Sequence, residues 1–192
     1  MQRNSRTGCL TQNMKLLRIH LARVYQRANS ILTSMNTLSI GLNEAQRAGV
    51  AGLLRTTLAD DYILYTKTRK YHWNVEGPQF HDLHKLFERQ YEELDEAIDA
   101  IAERIRSLGI YSPGSFKEFL RDARLLEDAG PQISAKQMIE NLLADHESMI
   151  RALRVDLQKA ADEFGDSGNQ DFFTGLLQAH EKTTWMLRSL LK

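Results

Sequence analysis

Three prolines, at positions 78, 113 and 131, are the only ones in 192 residues, and their placement constrains the fold more than any other feature. Proline costs a helix interior about 3 kcal/mol, because it lacks the amide N–H and its ring collides with the preceding turn. The stretches between prolines are therefore free to be long helices, and their apolar spacing predicts that they are. From Asn43 to about Tyr71, Val50, Leu53, Leu54, Leu58, Tyr62 and Tyr65 recur at the three-and-four spacing of one buried helix face. Asn43 suits the N-cap, and Gly77-Pro78 closes the segment. From about Phe80 to Leu108 the stripe is Leu83, Phe87, Tyr91, Leu94, Ile98, Ile101 and Ile105, ending at Gly109 in the usual C-terminal glycine position.

Between Tyr111 and Gly130 the pattern shortens to Phe116, Phe119 and Leu120, enough for a short helix inside a long connection. Ser134 and Gln137 have capping-box spacing and open a helix carrying Ile139, Leu142, His146, Met149, Leu153, Leu157 and Phe164. Gly165-Asp166-Ser167-Gly168 is a turn by composition. Asn169 to Leu191 then carries Phe173, Leu176, Leu177, His180, Leu187 and Leu190. Strand alternation is absent. The expectation is an all-α chain: a four-helix bundle with a short helix in its central crossover connection, the ferritin-like arrangement.

Charge sums to zero, 25 basic against 25 acidic residues, but is unevenly placed. Residues 1–34 contain Arg3, Arg6, Lys15, Arg18, Arg23 and Arg27 and no acid, leaving a body of net charge −6. Residues 1–34 are expected to form a flexible or partly helical basic arm, and residues 35–192 the bundle domain. Such an arm suits a polyanion, nucleic acid above all. An organellar transit peptide, or an upstream extension with Met35 as the true start, fits the same composition. Cys9 is the single cysteine, so no internal disulfide forms and a reducing compartment is compatible. No apolar run approaches the roughly 20 residues of a membrane-spanning helix.

The second helix holds the residues that could carry chemistry. His84 and Glu88 are four apart, as are Asp99 and Glu103, so each pair shares a face. The eleven-residue step from Glu88 to Asp99 returns to within about 20° of the same direction, yet spans roughly 16 Å of helix axis. One ion cannot bind both pairs of a single chain. Two copies of the helix crossing antiparallel about a two-fold axis would bring His84 and Glu88 of one to Asp99 and Glu103 of the other, and symmetry would generate two such sites. His72, at the end of the preceding helix, can approach His84. Two imidazoles and three carboxylates with open positions suit iron(II) better than a closed zinc site. By spacing alone these acids also fit a solvated flank, as do Glu92, Glu93, Asp95 and Glu96. No histidine has a Glu three residues before it, which disfavours the usual di-iron site inside one ferritin-like bundle.

Tyr71-His72-Trp73-Asn74-Val75-Glu76-Gly77-Pro78-Gln79-Phe80, then Leu83-His84-Lys85-Leu86-Phe87-Glu88, then Asp99-Ala100-Ile101-Ala102-Glu103-Arg104 resemble the motifs of the Dps family, the DNA-protecting mini-ferritins of starved bacteria. The resemblance runs over about residues 40–192 and includes His180-Glu181-Lys182 and Trp185-Met186-Leu187-Arg188. It implies a cytoplasmic, nucleoid-associated dodecameric shell built on two-fold dimers. That shell would oxidise Fe(II), preferentially with hydrogen peroxide, at ferroxidase centres between subunits, store the ferric mineral and protect DNA. By motif matching, His72, His84, Asp99 and Glu103 take the iron-ligand roles. Glu88 stands where the family commonly has Asp.

Around that site, Trp73 and His81 are candidate neighbours of the ligands, and Asp162, Asp166 and Asp171 are candidates for an acidic iron-entry pore. The six basic residues of the arm are candidate DNA contacts. His146 and His180 fall on apolar stripes and are expected to be satisfied core histidines. The alternative is a non-specific DNA-binding, nucleoid-condensing protein with weak or impaired ferroxidase activity.

Overall fold

The structure, a computed structural model, describes Arg23 and residues 38–192. The chain divides into two units, residues 1–40 and 41–192. In the first, Arg23 is helical and exposed; Arg3, Arg6, Lys15, Arg18 and Arg27 lie outside the described residues. The second unit consists of α1 (Glu44–Asn74), α2 (Phe80–Ser107), α3 (Phe116–Asp122), α4 (Ala135–Asp162) and α5 (Ser167–Ser189). All regular structure among the described residues is helical. The two long hairpins, α1–α2 and α4–α5, pack together, and the connection carrying α3 joins them. None of the described helices is long and apolar enough to cross a membrane.

The ends of the helices follow local chemistry. Asn43 and Gln46 exchange two bonds of 2.9 Å, each side chain satisfying the other's backbone N–H, which fixes where α1 begins. Gly77, at φ 111°, makes the reversal into α2, a conformation that penalises any Cβ. Two expectations need correction. Ser134 accepts from the Gln137 amide at 3.2 Å, but no return bond from Ser134 N–H to the Gln137 side chain forms, and the Gln137 side-chain amide donates instead to Asn141 at 3.0 Å. The residues 165–168 are not all turn. Asp166 caps α5 by accepting from Asn169 N at 3.0 Å, so the helix starts at Ser167, two residues earlier than the apolar pattern alone implies.

Two apolar clusters fill the bundle. One gathers Leu54, Leu58, Ile101, Ile105, Leu153 and Phe173 near one end. The other gathers Leu64, Tyr71, Leu83, Phe87, Leu142 and Leu187 toward the His72 end of α1. Each such side chain contributes about 1.5–3 kcal/mol on burial.

A charged clasp that apolar periodicity does not reveal fastens the crossover. Fully buried Asp60 accepts from Arg124 N at 2.6 Å, Leu125 N at 2.9 Å and Arg124 Nε at 2.7 Å, while Arg124 Nη1 reaches Asp156 at 2.9 Å. One arginine thereby ties the connection to both α1 and α4.

Candidate metal centre

The tight α1–α2 reversal sets His72 and His84 ring to ring, their centroids 3.8 Å apart and their planes within 19°. His72 Nδ1 lies 2.9 Å from the carbonyl of His84, and His84 Nδ1 lies 2.9 Å from the carbonyl of His72. A carbonyl can only accept, so each Nδ1 donates. Each neutral ring is thereby held as the tautomer whose Nε2 carries a bare lone pair, the form that binds metal. His72 is buried, 7% exposed. Tyr91 meets its ring edge-on at 5.2 Å, and Phe80 stacks on His84 at 5.1 Å.

Glu88 lies one turn beyond His84. Its Oε2 accepts from Lys85 Nζ at 2.7 Å. That bond above all holds the Glu88 carboxyl below its usual range; desolvation, the next largest effect, opposes it, and the Lys85 charge and the two histidines, when protonated, add smaller lowering effects. The structure thus brings His72 and His84 together, with Glu88 one turn farther along α2 and bonded to Lys85. Asp99 and Glu103 are exposed farther along α2. Asp99 lies close enough to Tyr62 to help raise its phenol, after burial, Asp95 and Tyr65. Within one chain, no three His, Cys, Asp or Glu side chains among the described residues converge as a metal site.

Trp73 is 64% exposed with the Arg69 guanidinium 5.2 Å over its ring, and Arg69 also faces Tyr65 and Tyr91. Trp73 is therefore not a core aromatic of this chain. His81 is exposed on the first turn of α2. Of the expected pore acids, Asp162 and Asp171 are exposed, whereas Asp166 is buried in the α5 cap.

His146 and His180 are buried as expected, but they are not fully satisfied. Their Nδ1 atoms lie 2.8 Å apart, His180 Nε2 is 3.6 Å from Asp61 Oδ1, and His146 Nε2 has no protein partner. Burial, and for His146 also its neighbour, pushes both imidazoles down, His180 to about 4. Burial pushes Asp61 up to about 8; Asp60 adds to this and Arg124 opposes it. Asp61 is the residue that sequence reasoning missed. Its spacing, three after Leu58 and four before Tyr65, places it on the apolar face and was the available signal.

This fold, with its paired His72 and His84 at the α1–α2 reversal, is that of a ferritin-like helical protein, and comparison with known proteins agrees. The ferritin-like domain model matches residues 51–192. An uncharacterized low temperature-induced protein of Nostoc is 52% identical over 158 residues, covering 82% of this chain and 88% of that protein. DNA protection during starvation protein 2 of Bacillus anthracis is 36% identical, covering 74% and 96%. Among solved structures, Dps from Thermosynechococcus elongatus superposes with TM-score 0.73 at 36% identity, covering 77% and 93%. Dps from Vibrio cholerae, described as one of the ferritin-like diiron-carboxylate proteins, gives 0.76 at 33%, covering 81% and 97%. The chain belongs to the Dps family of ferritin-like proteins.

Proposed function

We propose that this protein is a mini-ferritin subunit that protects DNA by oxidising Fe(II) and storing the ferric product within a cytoplasmic homo-oligomeric shell, a dodecamer as in its family. The observation that carries this is the reciprocal Nδ1–carbonyl pairing, which leaves two Nε2 lone pairs ready beside a carboxylate. His72, His84 and Glu88 would receive Fe(II), the substrate, while Asp99 and Glu103 of a second copy complete the centre across a two-fold axis. The face around Tyr62 supports that pairing. An apolar groove there is lined by Tyr62, Phe116, Phe119 and Leu120, of which Phe116 and Leu120 are exposed.

In the reaction, two Fe(II) each yield one electron to one hydrogen peroxide; its O–O bond breaks and, with two protons, two waters form. Carboxylates favour the ferric product because its higher charge pairs better with hard oxygen donors. Trp73 and His81 stand as neighbours of the centre, and Asp162 and Asp171 as acids that draw cations inward. Asp166 would add its charge from within the cap. Should DNA be held directly, the acid-free arm with its six basic residues is the part suited to phosphates.

The test is peroxide-driven Fe(II) oxidation under anaerobic conditions by the parent and by an assembled Asp99→Ala/Glu103→Ala variant. Rapid oxidation and a soluble ferric core in the parent alone support the proposal. Equal slow rates in both reject it.

A further inference from the structure

Glu88 has two claims on one carboxylate. It sits one turn after His84, near enough to interact electrostatically with His72 and His84 whenever their rings are protonated, yet its Oε2 is bonded to Lys85 Nζ at 2.7 Å. The lysine is 59% exposed and the glutamate 31%, so neither is locked by packing. Lys85 is three residues before Glu88 on α2, on the neighbouring position of the same helical face.

We propose that Glu88 is a two-position ligand, paired with Lys85 when no metal is present and handed to the first Fe(II) that the Nε2 atoms of His72 and His84 capture. Lys85 is thus a built-in competitor that sets the affinity of the half-centre. It holds the carboxylate in place before metal arrives and withdraws into solvent afterwards, which its exposed stem permits. The longer reach of glutamate suits it to serve both partners. This inference rests on the proposed role of His72 and His84.

Zn(II) serves as a redox-silent probe, titrated into the assembled protein with metal-free chains. An exposed ion pair is worth little, so Lys85→Met should tighten Zn(II) binding by about two- to fivefold. Removing a positive charge near a cation would also tighten binding without any hand-over. The Glu88→Gln background separates the two: with no carboxylate to release, Lys85→Met should then retain only the through-space charge effect, a smaller gain than in the parent. A gain in the parent that is clearly reduced in the Glu88→Gln background is the expected result. No gain, or an equal gain in both backgrounds, overturns the two-position ligand. If the parent and a His72→Ala variant bind Zn(II) identically, the half-centre itself fails, which is a different outcome from the first two.

Discussion

His72 and His84 each donate through Nδ1 to the other's backbone carbonyl, both at 2.9 Å. Twelve residues and a glycine-bearing reversal separate them in sequence, so the pairing belongs to the α1–α2 hairpin. Each neutral ring should show an unprotonated Nε2 by long-range nitrogen–proton correlation in metal-free protein. Zn(II) should shift that nitrogen and leave Nδ1 protonated. An Nε2–H tautomer in either ring would contradict the geometry.

Two glycines one turn apart should respond with opposite signs. A Cβ on Gly49 would stand 2.2–2.8 Å from the Phe164 ring, whereas Gly52 has nothing within 4 Å. Gly49→Ala should destabilise by about 1–3 kcal/mol through overpacking. Gly52→Ala should stabilise by about 0.5–1 kcal/mol, because glycine is a poor helix former. Denaturant midpoints of the two variants check both.

Arg124→Met should be among the more damaging substitutions outside the apolar core. It leaves Asp60 buried without its counter-charge and releases Asp156, on the order of 3 kcal/mol where one partner of a buried pair is lost. The crossover should become accessible to protease near Leu125 while helical content persists.

Stability of the metal-free protein should peak between weakly acidic and neutral pH. Asp61 ionises near 3.8 when unfolded and at about 8 in the fold, so the folded chain alone keeps that proton and stability falls as pH rises from about 4 to about 8. His180 behaves oppositely, titrating at 6.5 unfolded and about 4 folded, so stability falls as pH drops through that interval. His146 adds to the acidic loss. Asp61→Asn should flatten the alkaline side and steepen the acidic side between about pH 4 and 6.5, where the Asp61 contribution otherwise opposes that of His180. Chemical denaturation against pH decides this, and an unchanged alkaline slope would contradict it.

The long helices were legible because three prolines and an apolar stripe leave few alternatives, and His72 with His84 because motif spacing places them across one tight reversal. Other features depend on which hydrogen-bond partner each polar side chain finds, which periodicity does not encode. Gln137 donates to Asn141 instead of closing its capping box. Asp166 is taken by the α5 amides instead of standing free. Adjacent Asp60 and Asp61 look alike in sequence. One is clasped by Arg124, while the carboxyl oxygens of the other are buried without a hydrogen bond from the protein. The Lys85–Glu88 pair has ordinary helical spacing, and only its place one turn beyond His84 makes it notable.

The central claim is that His72, His84 and Glu88 of one chain act with Asp99 and Glu103 of another. Subunit complementation tests it directly. A His72→Ala/His84→Ala chain and an Asp99→Ala/Glu103→Ala chain should each assemble without peroxide-driven Fe(II) oxidation. Co-assembled in equal amounts, they should regain about a quarter of the parental rate, since half of the two-fold pairs would be mixed and each mixed pair would hold one intact centre of two. Mixed shells no more active than the two parents apart would contradict a centre shared between chains.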